Sequence, residues 1–169
     1  ISITVTNSLI EGNNSNTYGV GTYTTAPGVV FFGNAATSSG NSNISITYNS
    51  IRDRSTGTGV PANAVFSYNT TAGTTNSKNT IQYNNIFNFS QAGVYLSDAG
   101  TGNGWTISDN NFYCASDMSS YESAVPQQIA IYVKGAASSR HKINNNIIGG
   151  SAAGASGAWS NSNSSLDFE

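Results

Sequence analysis

The chain has 169 residues and a mass of 17.5 kDa, one domain's worth of polypeptide. Only 8% of the residues are charged and the net charge is -2, which excludes a broad basic surface for nucleic acid or acidic lipid. Hydrophobic residues make up 37%, enough for a core, and a single cysteine, Cys114, excludes an internal disulfide framework and a cysteine-built zinc site.

The chain opens on a strand-like run, Ile1-Ser2-Ile3-Thr4-Val5, and its first phrase continues as Thr4-Val5-Thr6-Asn7-Ser8-Leu9. A second kind of phrase follows, Gly28-Val29-Val30-Phe31-Phe32-Gly33-Asn34. The two kinds then alternate. The first returns around Ile46 and Asn49, Ile81 and Asn84, Ile107 and Asn110, and Ile143 and Asn146. The second returns as Ala64-Val65-Phe66-Ser67, Gly93-Val94-Tyr95-Leu96 and Ile131-Tyr132-Val133. Both alternate as strands do and are rich in Val, Ile, Phe and Tyr. The anchoring isoleucines are separated by 35, 26 and 36 residues. From the second phrase to the next anchor the distance is 16, 16, 13 and 12 residues, so one connection is nearly fixed and the other accepts insertions.

A recurring spacing implies stacked coils, each burying what its neighbour cannot. A leucine-rich repeat is disfavoured by a chain with only Leu9, Leu96 and Leu166 and no helix after each strand. The phrases resemble the right-handed parallel β-helix repeat family over nearly the whole chain. The expected fold is an all-β solenoid of about five coils with long inserted loops. Residues 1–148 form the coils, and residues 149–169, rich in Gly, Ala, Ser and Asn, form a degenerate last coil or a linker. In that family the repeated Asn is an asparagine ladder, here Asn7, Asn49, Asn84, Asn110 and Asn146. Three inward stacks are expected: Ile46, Ile81, Ile107 and Ile143; Leu9, Ile51, Ile86, Phe112 and Ile148; and Val30, Val65, Val94 and Ile131. Each buried side chain contributes about 1.5–3 kcal/mol before entropy is counted.

Strand alternation points Phe31, Phe66, Tyr95 and Tyr132 outward, as a stripe with about 4.8 Å between coils. Two readings are open. The stripe is a binding face for sugar rings or another protein, or it is covered by loops and serves only as a cross-strand ladder.

Glycoside hydrolysis generally needs two facing carboxylates, and none of the eight acids forms an adjacent pair. The motifs of polygalacturonase-like enzymes are missing. An enzymatic reading rests on Asp53, Arg54 and Asp98, with Arg52-Asp53-Arg54 otherwise a solvated turn. His141 is the only histidine and has no identifiable carboxylate partner in the sequence. No cofactor and no metal site is expected.

Gly93-Val94-Tyr95-Leu96 and Gly104-Trp105-Thr106-Ile107-Ser108-Asp109 are similar in style to long β-helical surface proteins of Bacteroidetes type. The resemblance implies a non-enzymatic structural or adhesive module, extracellular, secreted or on a cell surface. A fragment of a polysaccharide lyase or glycoside hydrolase is the alternative. Expected partners are a glycan or cell-surface ligand, and adjoining coils of a longer parent chain or a partner over the solenoid ends. No run reaches the roughly 18 apolar residues of a membrane helix, so neither membrane insertion nor nucleic-acid binding is expected.

Overall fold

The structure is a computed structural model, described for residues 2–12, 28–33, 40–54, 60–68, 75–97, 101–116, 127–134, 140–158 and 167–168. It is all-β, with parallel strands stacked in three five-stranded sheets. The first sheet holds β1 (Ile3–Thr6), β4 (Ile44–Thr47), β7 (Thr80–Gln82), β10 (Thr106–Ser108) and β13 (Lys142–Asn144), in that order. The second holds β2 (Leu9–Gly12), β5 (Ser50–Asp53), β8 (Asn85–Phe87), β11 (Asn111–Tyr113) and β14 (Ile147–Ile148). The third holds β3 (Val30–Phe32), β6 (Asn63–Ser67), β9 (Ala92–Leu96), β12 (Gln127–Val133) and β15 (Asp167–Phe168). The chain visits the sheets in turn, and each strand pairs with the strand of the same sheet on the next pass. This arrangement is compatible with a β-helix.

Inward side chains from the three sheets meet in one core. Ile46, Ile81 and Ile107 stack in register on the first sheet, Ile51, Ile86 and Phe112 on the second, and Val65 and Val94 on the third. Where Phe112 enters from the second sheet, the third narrows to the column Ala64, Gly93 and Ala130. A Cβ on Gly93 would lie 2.6 Å from the Phe112 ring and 2.7 Å from the Ala130 carbonyl, so only glycine fits there.

The register corrects the first pass by one residue. Ile10, not Leu9, pairs with Ile51, and Leu9 pairs with Ser50 and is exposed. Asn7 is displaced in the same way. Thr6 pairs with Thr47, which sets Ser8 opposite Asn49 and Asn7 opposite Tyr48. The hydrogen-bonded ladder is therefore Asn49, Asn84, Asn110 and Asn146. Asn49 Nδ2 donates to Asn84 Oδ1 at 3.1 Å, Asn84 to Asn110 at 3.0 Å and Asn110 to Asn146 at 3.0 Å. Each Oδ1 also accepts the backbone N–H of the preceding pass, with Ser8 N–H donating to Asn49. Thr6-Asn7-Ser8 mimics Tyr48-Asn49-Ser50, but Asn7 follows Val5 by two positions where Asn49 follows Ile46 by three.

A second set of amides supports the long connections. Asn76 and Asn79 are fully buried, and their Oδ1 atoms accept the backbone N–H groups of Asn41 and Ile44. Asn76 Nδ2 donates to the Phe32 carbonyl at 2.7 Å, and its own carbonyl accepts Trp105 Nε1–H at 2.7 Å. Buried backbone groups that lack a strand partner are satisfied this way. After β14 the chain makes a single 3-10 turn at Ala153–Ala155, and β15 then adds to β12. Among the described residues no helix is long and apolar enough to cross a membrane.

Candidate functional site

The outward column of the third sheet forms in register. Phe31 pairs with Phe66, Phe66 with Tyr95 and Tyr95 with Tyr132. Their ring centroids lie 5.7, 5.2 and 4.7 Å apart. The column is not an open stripe, however. Phe66 and Tyr95 are each 1% exposed and form a second apolar cluster with Ala92, against which Tyr68 and Tyr132 pack. Only Phe31 stands open, at 49%. Alternation decides which side of a sheet a residue leaves from; it does not decide whether chain lies over that side. A binding face made of all four rings is therefore corrected to a covered aromatic ladder with one open end.

A different column is exposed. Between the first and second sheets the chain turns through one residue with a left-handed backbone: Asn7 (φ 52°), Tyr48 (57°), Tyr83 (58°), Asp109 (57°) and Asn145 (55°). That geometry turns the chain sharply while Tyr48 and Tyr83 N–H donate to the carbonyls of Gln82 and Ser108 on the next pass. Asn and Asp adopt this conformation readily; a bulky side chain there is an outlier worth about 1 kcal/mol or more of strain. Tyr48 and Tyr83 accept it side by side. They are 57% and 45% exposed, and their rings stack at 4.8 Å with 17° between planes. The separation equals the usual spacing between strands of about 4.8 Å, so the rings lie one above the other along the stack. Their outer faces look toward Asn7 on one side and Asp109 on the other.

Asp109 is prepared as an anion. Gln82 Nε2 donates to its Oδ2 at 3.1 Å. That bond, followed by those of Ser108 and Asn145 and by the nearby charge of Lys142, outweighs desolvation and holds the carboxyl below its ordinary pKa. The adjoining side chains on the outer side of the first sheet are hydroxyls and amides: Thr47, Gln82 and Asn144 are partly exposed and Ser108 is buried among them.

Of the residues of the enzymatic reading, only Asp53 and Arg54 lie among the described residues. Asp53 ends β5, and its Oδ1 is buried without a hydrogen bond among the described residues. Burial raises its pKa. Arg54 is exposed, and Asp98 lies outside the described residues. Beside Asp53, Arg52 bonds Glu11 at 2.9 Å and lies 5.7 Å above the Phe87 ring, which stacks on Tyr113 at 4.6 Å. That run pairs charge with charge and ring with ring across four passes, as an outer ladder of the second sheet. Neither ring nitrogen of His141 is hydrogen-bonded among the described residues, and burial lowers its pKa. Cys114 is buried, with Sγ 3.2 Å from Gln128 Oε1. Among the described residues, no three His, Cys, Asp or Glu side chains cluster to hold a metal.

No family model, no curated protein and no solved structure matches this chain. The sequence signal for the exposed pair is Tyr-Asn within the isoleucine phrase, as Tyr48-Asn49 and Tyr83-Asn84; the same dipeptide at Tyr68-Asn69 belongs to the other phrase.

Proposed function

We propose that this chain is a non-enzymatic structural and adhesive module of an extracellular bacterial surface protein of Bacteroidetes type, built as a right-handed β-helix of five coils. The observation that supports it most is the continuity of the stack. One asparagine ladder and three apolar columns run through successive passes without a break in register, which makes a stiff spacer. Its outermost strands present exposed Ile3 and Leu9 at one side and Ile143, Ile147 and Ile148 at the other, which fits adjoining coils or a partner lying over them. An outward surface of a stiff spacer is well placed to meet a glycan or another surface protein.

The test incubates the chain with neutral and acidic polysaccharides, with and without calcium, beside Asp53→Asn. Polymer retained on the protein with no shortened product is the expected result. Release of oligosaccharides that disappears in Asp53→Asn overturns the reading in favour of a lyase or hydrolase fragment. The buried Oδ1 of Asp53 and its raised pKa are the features that favour that alternative.

A further inference from the structure

We propose that the bend carrying Tyr48, Tyr83 and Asp109 is a subsite for an uncharged, hydroxyl-rich sugar ring within a polysaccharide, seated on an open tyrosine face and held through its hydroxyls by Asp109 and the neighbouring amides. The inference rests on the adhesive reading and names its surface.

Three observations converge on this bend. The first is conformational. The same position on other passes is Asn7, Asp109 or Asn145, residues that suit a positive φ. Two tyrosines occupy it instead, on adjacent passes, at a backbone angle that penalises them. Strain of this kind persists where something other than local preference selects the residue.

The second is the shape of the exposed surface. The rings cover each other's inner faces, leaving two outer faces and two outward edges. On the Asn7 side the neighbouring side chain is short, so the Tyr48 face borders a step. On the other side the Tyr83 face borders Asp109 and Gln82, joined at 3.1 Å. A sugar ring has an apolar face of axial C–H bonds and a rim of hydroxyls, and this bend offers a flat π-face with polar atoms at its edge.

The third is the chemistry of the surroundings. Beside the two rings, Thr47 and Gln82 continue the surface as a hydroxyl and an amide, while exposed Leu9 and Ile147 lie only at the first and last passes. A protein partner would be expected to bring a larger apolar core to bury; a glycan does not need one. An ionised Asp109 can accept two vicinal hydroxyls in charge-assisted bonds, and it repels a uronate or sulfate at the same place.

The experiment measures affinity by titration calorimetry and affinity electrophoresis for three soluble probes: a mixed-linkage β-glucan, a galactomannan and polygalacturonate. The proteins are wild type, Tyr48→Asn/Tyr83→Asn and Asp109→Ala, each with a thermal unfolding curve. The asparagine substitutions keep a residue that already occupies this backbone angle in the fold. At least one neutral polymer should bind wild type, with affinity falling about tenfold or more in the double variant and several-fold in Asp109→Ala. The unfolding midpoint of the double variant should stay within about 4 °C of wild type. Neutral-polymer binding that survives the double variant sinks the subsite while leaving the adhesive module standing. So does binding confined to polygalacturonate, or tyrosine-dependent capture of a protein without any neutral glycan bound. Failure of every neutral polymer to bind also overturns the subsite. Cleavage of any probe sinks the module reading itself.

Discussion

The molecule carries two aromatic stacks, and they differ in kind. Phe31, Phe66, Tyr95 and Tyr132 rise along the middle of the third sheet on ordinary strand backbone, with Phe66 and Tyr95 closed off from water. Tyr48 and Tyr83 rise along a bend on a left-handed backbone and remain half open. The first stack gains from burial and is held by regular pairing. The second gives up local conformational preference and about half of its burial. A stack that stabilises and a stack that presents itself to solvent can have the same ring spacing, so spacing alone does not separate structural from functional aromatics.

The contrast breaks most directly at Phe66. Phe66→Ala removes a ring from a closed cluster and should lower stability by about 3–5 kcal/mol, read as a shift in the denaturant midpoint. A loss below about 1 kcal/mol would mean the column is open after all. Asn84→Ala comes next. It deprives Asn49 of the acceptor for both its backbone N–H and its Nδ2, and should cost about 3 kcal/mol in the same measurement. Tyr83→Asn should do far less, within about 1 kcal/mol of wild type, because lost stacking is offset by relief of the positive φ. A loss comparable to Phe66→Ala would place both stacks in the same class.

The smallest expected effect is a pH dependence. Burial holds the His141 pKa below its ordinary 6.5, so the unfolded chain takes up the proton first as pH falls. Stability contributed at this position is then intact above pH 6.5 and declines below it until the folded-state pKa is passed. His141→Gln should flatten that decline, seen by comparing unfolding midpoints of the two proteins across this window. Parallel curves would show that His141 is freely hydrated in the fold.

Much of the architecture was legible in the sequence because stacked passes repeat their chemistry. The spacing of Ile46, Ile81, Ile107 and Ile143 set the register of the first sheet, and the Val30, Val65, Val94 and Ile131 column set the third. The first pass was misread because Asn7 imitates a ladder residue, and only pairing of Thr6 with Thr47 reveals the shift. The polar support of Asn76 and Asn79 was missed because neither falls within a repeated phrase. For the site, direction was legible and exposure was not. Alternation correctly sent Phe66 and Tyr95 away from the main core, but it carries no information on exposure, and both rings are buried in a cluster of their own with Ala92. Tyr48 and Tyr83 were visible as residues, yet their outward reach comes from a backbone angle that no alternation rule describes.

The asparagine ladder has a direction. At every step from Asn49 to Asn146 the amide N–H points the same way and the amide oxygen the other, so the side-chain dipoles add head to tail along the stack. Each bond polarises the next, and the row behaves as one extended dipole rather than three separate contacts. The two ends of the row are therefore unlike: at one, Asn49 Oδ1 receives the Ser8 N–H of the first pass, and at the other, Asn146 Nδ2 donates to the Ile107 carbonyl, so the polar row runs with one sense through the stack and closes on backbone at both ends.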